Sequence, residues 1–140
     1  MSESRLKDIK ILHREKLSVR DFFAHFGKDL QLALHSPEGD LDTNIAESGI
    51  HRPGLAMAGY TKVYSSKQIQ VVGHTEWNYL ESLGPEGRKK VFENLSVFRA
   101  PMWVVTHAQM PHAELKEMCS KLHIPLFSTT LHTYEFNKVA

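Results

Sequence analysis

Cysteine is almost missing from this chain of 140 residues. Cys119 is the single thiol, which excludes an intrachain disulfide and a two-cysteine metal knuckle and suits a reducing compartment. Long apolar runs are missing as well: no stretch approaches the ~18 residues of a membrane-spanning helix. The amino terminus, Met1 to Lys10, is polar and charged rather than apolar, unlike a secretory leader. The cytoplasm is the expected location. Charge of one sign is also lacking, because 17 Lys and Arg stand against 16 Asp and Glu for a formal net charge of +1. Whole-chain charge therefore points to neither nucleic acid nor a membrane surface.

The usual catalytic signatures are absent too. A GxxxxGK[ST] loop cradles phosphates with backbone N–H groups and a lysine, but the only Gly-Lys pair, Gly27-Lys28, lacks the earlier glycine. GxGxxG, HExxH and GxSxG do not occur, which removes the common marks of dinucleotide binding, zinc proteolysis and serine hydrolysis. Nine histidines raise the question of a metal. His107 and His112 fall at a strand end and a helix start, and His13, His25 and His35 fall in separate elements, so no helical i, i+4 ligand pair arises. No metal site is expected. Cys119 sits on an apolar helical face, which suits a buried, inert thiol better than a nucleophile.

What is present fits one domain: 41% hydrophobic residues suffice for a single core at this length. Residues 1–17 read as a solvated leader, basic side chains outnumbering acidic ones there. Ser18 then precedes Val19, Phe22, Phe23 and Phe26, an apolar stripe at helical spacing that ends at Gly27. Leu30–Leu34 alternates in part and stops at Ser36-Pro37-Glu38-Gly39, predicting a strand and a hairpin-like connection, and a short strand is expected around Ile45. Gln68–Gly73 is a bounded β-branched run leading straight into a helix, for which Thr75 is the predicted cap. Trp77, Tyr79, Leu80 and Leu83 would line that helix, Gly84-Pro85 would end it, and Val91, Phe92 and Leu95 would turn the next one inward. Strand Met102–Thr106, a helix from about His112 and strand Pro125–Ser128 make a parallel βαβ unit. The expected fold class is α/β: a mixed β-sheet with a parallel βαβ portion, covered by helices. Residues 131–140 read as the start of a linker out of the domain.

Two segments invite a functional reading. In Ile50–Tyr60 an arginine precedes a rigid Pro-Gly and glycines bracket a small apolar run, so a short helix can pack closely on the sheet. In Gly73-His74-Thr75-Glu76 a strand feeds a helix amino terminus, where free N–H groups can hold an anion with Arg52 supplying charge. The candidate ligand site is thus Arg52, His74, Thr75 and Glu76. The structural reading, preferred here, has Thr75 capping the helix, Glu76 complementing its dipole and Arg52 making a salt bridge or binding backbone carbonyls.

Taken together, Ile50-His51-Arg52-Pro53-Gly54-Leu55-Ala56-Met57-Ala58-Gly59-Tyr60 and Ile69-Gln70-Val71-Val72-Gly73-His74-Thr75-Glu76-Trp77-Asn78-Tyr79-Leu80-Glu81-Ser82-Leu83 closely resemble the amino-terminal domain of bacterial HPr kinase/phosphorylase. Pro101–Thr106, Pro111 and Ile124-Pro125-Leu126 continue the likeness in the same order, so it runs from about Leu17 to Phe136. Departures are His51 where the family often has asparagine, Gln68 where it often has arginine, and His74 where lysine is common. The resemblance implies a fold similar to the amino-terminal domain of the Mur ligases. It also implies a carboxy-terminal P-loop kinase domain beyond Ala140 that uses ATP or pyrophosphate, with Mg, to phosphorylate and dephosphorylate a serine of HPr. The parent enzyme would be a homo-hexamer active in carbon catabolite regulation. This chain is then expected to be a non-catalytic assembly or regulatory module whose partners are that kinase domain and neighbouring subunits, with HPr engaged through the kinase domain. The alternatives are a stand-alone domain sensing a phosphorylated metabolite or nucleotide, and a small enzyme working through His74 and Glu76.

Overall fold

The computed structural model describes residues 17–36 and 39–139, so nearly all of the expected leader, and Pro37-Glu38 of the turn cluster, lie outside the described residues. In chain order the elements are β1 (Leu17–Ser18), α1 (Val19–Phe26), β2 (Ala33–Leu34), β3 (Asn44–Ile45), β4 (Ile50–His51), α2 (Gly54–Met57), β5 (Ile69–Val72), α3 (His74–Leu95), β6 (Trp103–Val105), α4 (Ala113–Leu122), β7 (Leu126–Ser128) and α5 (Thr133–Val139).

The most apolar, β-branched segments lie at the centre. Every residue of β5 and β6 is buried, as expected for parallel strands covered on both faces. The main sheet runs β2-β7-β6-β5-β4. β4 to β7 are mutually parallel, with Val71 beside Val104 and Val104 beside Phe127, and β2 closes one edge antiparallel to β7. The two-residue period sorts the strand side chains between two cores. Val72, Trp103, Val105 and Leu126 join Leu80, Phe92, Leu115 and Cys119 from α3 and α4. Ile69, Val71, Val104 and Phe127 join Phe22 and Phe26 of α1 and Phe136 of α5. The α/β mixed sheet with helices on both faces is the fold class read from the sequence.

Local signals worked where their chemistry was unopposed. Ser18 caps α1, its hydroxyl accepting from the Asp21 N–H at 3.1 Å. Gly84, at φ 69°, kinks α3 just before Pro85, where one helix was expected to end and another to begin. β6-α4-β7 is the expected parallel crossover unit.

Three expectations need correction. The strand predicted over Leu30–Leu34 shrinks to Ala33–Leu34, because Gln31 turns left-handed at φ 54° and Leu30 and Leu32 donate back to Phe26 and Gly27. β2 then forms no hairpin with its neighbour: it pairs with β7, and β3 pairs with β1 in a separate two-stranded ribbon. Residues 131–140, read as the start of a linker, contain α5, and Phe136 is fully buried on the sheet. Burying one phenyl ring stabilises a fold by roughly 2–3 kcal/mol, enough to dock a two-turn helix that would not form alone.

Candidate functional site at the carboxyl edge of the sheet

Because β4 to β7 are parallel, the chain leaves all four at the same edge. In open α/β sheets this is where ligands are bound. Arg52 follows β4 and Gly73 follows β5. Thr106 and His107 follow β6, and Thr129 to Thr133 follow β7.

The four residues singled out in the sequence divide here. Glu76, the third residue of α3, is only 6% exposed and turns back on the helix start, its Oε1 accepting the Gly73 N–H at 2.8 Å. Arg52 closes on the same carboxylate in a two-pronged pair, Nε to Oε1 and Nη2 to Oε2, both at 3.0 Å. The anion at this helix amino terminus is therefore the protein's own. Backbone donor, helix dipole and guanidinium converge on it, the combination that makes a carboxylate pair strong. Gly73 allows the close approach: a Cβ there would stand 2.6 Å from Thr133 Oγ1 and 3.0 Å from Arg52 Nη2.

Thr75 and His74 stand apart from this pair. Thr75 is exposed and does not cap the helix. The capping position is Gly73, two residues earlier, because the chain turns helical as soon as it leaves β5, and it is Glu76 that bonds back to the helix start, at the Gly73 N–H. His74 is also exposed, with Nε2 3.0 Å from Asn78 Nδ2 and Nδ1 3.5 Å from Gln109 Nε2.

Sequence reasoning missed the residues that the neighbouring crossovers bring to the same edge. The His107 ring lies 5.7 Å from that of His74 and stacks on that of His132 at 4.4 Å, 16° from parallel. His107 and Ala108 are both left-handed, at φ 64° and 55°, and their N–H groups donate to Leu131 and Thr129, which ties the loop after β6 to the loop after β7. Beneath the rings, Thr133 Oγ1, Thr106 Oγ1 and His107 Nδ1 form a chain with steps of 2.8 and 2.9 Å. Burial, then the neighbouring His132 and His74, hold the His107 imidazole below its ordinary range. No spacing rule could have found this trio, since its members are 33 and 25 residues apart, by the differences 107 − 74 and 132 − 107. The available signal was that each lies at or just past the end of a predicted strand.

Other groups are placed plainly. Cys119 is buried against α3 and the sheet, and burial pushes its thiol well above the usual range, consistent with an inert core residue. Among the described residues no three His, Cys, Asp or Glu side chains stand together in a way that could hold a metal ion. No helix among them is long and apolar enough to cross a membrane.

Comparison with known proteins agrees with this architecture. The chain is similar to the HPr kinase/phosphorylase of Chlorobium luteolum, 36% identical over 124 residues that cover 87% of this chain and 37% of that protein. It is likewise similar to the HPr kinase/phosphorylase of Chloroherpeton thalassium, 34% identical over 129 residues covering 91% of this chain and 38% of the relative. The chain thus spans a little over a third of the length of these curated relatives. Among solved structures, the CBS and DRTGG domains of the regulatory region of a Clostridium perfringens pyrophosphatase, complexed with the activator diadenosine tetraphosphate, superpose with a TM-score of 0.63. That likeness covers 99% of this chain and 55% of the other at 13% identity, and it concerns the fold alone. The family model described as HPr Serine kinase N terminus matches residues 17–140, every described residue, and the chain belongs to that family.

Proposed function

We propose that this chain serves as the non-catalytic amino-terminal module of a cytoplasmic HPr kinase/phosphorylase, contributing assembly or regulation rather than chemistry. The observation that carries this reading is the family match over residues 17–140 to proteins of which it spans about a third. The residues support it. The carboxylate best placed for chemistry, Glu76, is taken by Arg52 and the Gly73 N–H, and the sequence holds no phosphate-binding loop. Phosphoryl transfer needs a preorganised cradle and a metal. In this reading ATP or pyrophosphate, with Mg, belongs to a separate P-loop domain, which also engages HPr. This module would face that domain and neighbouring subunits of a homo-hexamer.

A chimaera tests the proposal. Residues 17–140 replace the aligned segment of the Chlorobium luteolum enzyme, and Mg-ATP-dependent phosphorylation of HPr is followed beside oligomeric state. The chimaera is expected to assemble as the parent does and to transfer phosphate, and the 140-residue chain alone to transfer none. Phosphorylation of HPr by the chain alone, or a folded chimaera that neither assembles nor transfers, overturns the reading.

A further inference from the structure

We propose that His74, His107 and His132, with the outward face of Arg52, form a binding site for the phosphate group of a small molecule. The inference goes beyond the assignment as an amino-terminal module and does not rest on it.

The first support is topological. Four successive parallel strands each deliver one cationic or protonatable side chain to a single edge: Arg52 after β4, His74 after β5, His107 after β6 and His132 after β7. Ring separations of 5.7 and 4.4 Å make the three imidazoles one cluster. Arg52, His74 and His132 are exposed and His107 partly so, which leaves the cluster open to solvent.

The second support is the chemistry each group can offer. The Thr106 hydroxyl, itself bonded to Thr133, occupies His107 Nδ1, so Nε2 is the ring nitrogen that a ligand would meet, and the protonated ring donates from it. The left-handed backbone at His107 and Ala108, anchored to Leu131 and Thr129, fixes that ring. Such strain is kept where the surrounding structure over-determines it.

The charged and titratable groups facing His107 are His132, His74, Arg52 and Glu76. Glu76, the only acid among them, already has one oxygen on the Gly73 N–H and both on Arg52. Beside His132, the Glu135 carboxylate accepts the His132 N–H at the start of α5. Burial and the neighbouring His132 and His74 oppose protonation of His107, so a bound dianion is the partner that makes it favourable. An oxyanion with several acceptors and nearly two charges near neutral pH fits donors converging from separate loops. A monovalent carboxylate uses fewer of them.

The test follows the histidine Cε1–H resonances of the 140-residue chain by NMR from pH 5.5 to 8. Chloride, inorganic phosphate and glucose 6-phosphate are compared at matched ionic strength. Either phosphate compound should move the His74, His107 and His132 signals. It should raise the titration midpoint of His107 by about one pH unit, the scale for an opposite charge at ~4–6 Å, and leave His35 and His51 in place. His132→Gln keeps an exposed polar side chain and should weaken the response about tenfold, the weight of one charge-assisted hydrogen bond, with unchanged His35 and His51 signals reporting an intact fold. A response to inorganic phosphate alone identifies the free ion as ligand, and a stronger response to the sugar phosphate identifies an ester. Midpoints that are the same in all three solutions, or a shift shared by every histidine, overturn the proposal.

Discussion

The two ends of the parallel strands handle their polar residues in opposite ways. At the carboxyl end Arg52, Gly73, Glu76, Thr106 and Thr133 bond to one another within about the length of a hydrogen bond, and a side chain on Gly73 would have no room. At the amino end Asp40, Lys67, Arg99 and Pro101 line an open cavity of about 210 Å³, and Arg99 reaches only the carbonyl of His123, at 3.1 Å. Polar groups at one end are parts of the packed structure, and those at the other are rim groups facing water. Substitutions should therefore cost much at the carboxyl end and little at the amino end.

The largest effect is expected at Gly73. Gly73→Ala places a Cβ 2.6 Å from Thr133 Oγ1 and 3.1 Å from Glu76 Oε1, so α5 or the ion pair must move. A loss of about 2–3 kcal/mol in urea denaturation is expected, the range for forced overpacking. Gly84→Ala is the contrast: a Cβ at Gly84 meets nothing within 4 Å and carries only the backbone strain of φ 69°, ψ 174°, a region essentially reserved for glycine, roughly 1–3 kcal/mol. A loss at Gly73→Ala below about 1 kcal/mol, the least that forced overpacking costs, would break the picture of a crowded edge.

Glu76 comes next. Glu76→Gln removes a buried charge from the Arg52 guanidinium, whose side chain is 46% exposed and can return to water. Complete burial of the abandoned partner would cost ~3–5 kcal/mol. With Arg52 half exposed, about 1–2 kcal/mol is expected in the same denaturation experiment. Arg20→Ala at the exposed Arg20–Asp42 pair should give no measurable change in the denaturation midpoint. A silent Glu76→Gln would mean that neither the ion pair nor the helix dipole contributes, and that the neutral hydrogen bond from the Gly73 N–H, which a glutamine oxygen can also accept, defines this edge.

How much of this was legible in the sequence depended on the range of the interaction. β5, β6, α4 and β7 carry their own period and stop signals, and they formed where expected. The Ser18 cap and the Gly84-Pro85 break are set by bonds between residues no more than a few positions apart, and they too were readable. β2 was misread because its partner, β7, lies 93 residues away at the Leu34–Phe127 pair and 95 at the Ala33–Ser128 pair, and no local pattern announces antiparallel closure over that distance. The polar edge divided in the same way. Glu76 was correctly tied to the helix dipole and Arg52 to a salt bridge, whereas Thr75 was given the capping role by residue type alone. His107 and His132 meet only after the β6-α4-β7 crossover has been closed, and His74 joins them only through the β5-α3-β6 crossover before it. The trio depends on topology, and topology is what single-sequence periodicity leaves open.

A smaller, pH-dependent effect should also separate the two ends. Burial, with His132 and His74 beside it, holds the folded-state pKa of His107 below the ordinary 6.5. Above pH 6.5 neither folded nor unfolded chain binds this proton, so stability from this group is fully present there. As the pH falls below 6.5 the unfolded chain takes up the proton first, and stability declines until the folded pKa is passed. Because the ring is partly exposed, the slope should lie well below the ~1.4 kcal/mol per pH unit of one fully excluded proton. His107→Asn tolerates the left-handed backbone and should flatten the decline between pH 6.5 and 5.5 in urea titrations. An unchanged slope in that variant would move the effect to His35 and His51, which burial also holds below their ordinary range.

The smallest effects are expected at the exposed positions of both ends, Thr75 and Lys67. Thr75 lies in the first turn of α3, but the capping position is Gly73 and the free N–H there is taken by Glu76. Inside the first turn the hydroxyl stands past the position from which a cap accepts the N–H two or three residues on, and alanine is the better helix former by a few tenths of a kcal/mol. Lys67 faces water at the open cavity of the amino end, where losing one cation leaves no buried group unpaired. Thr75→Ala and Lys67→Ala should each change stability by less than about 0.5 kcal/mol, the ordinary range for surface sites. A true N-cap threonine would lose about 1 kcal/mol on the same change. A loss of that size at Thr75 would mean that α3 starts at the threonine in solution, and Glu76 would then no longer be the residue that closes the carboxyl edge.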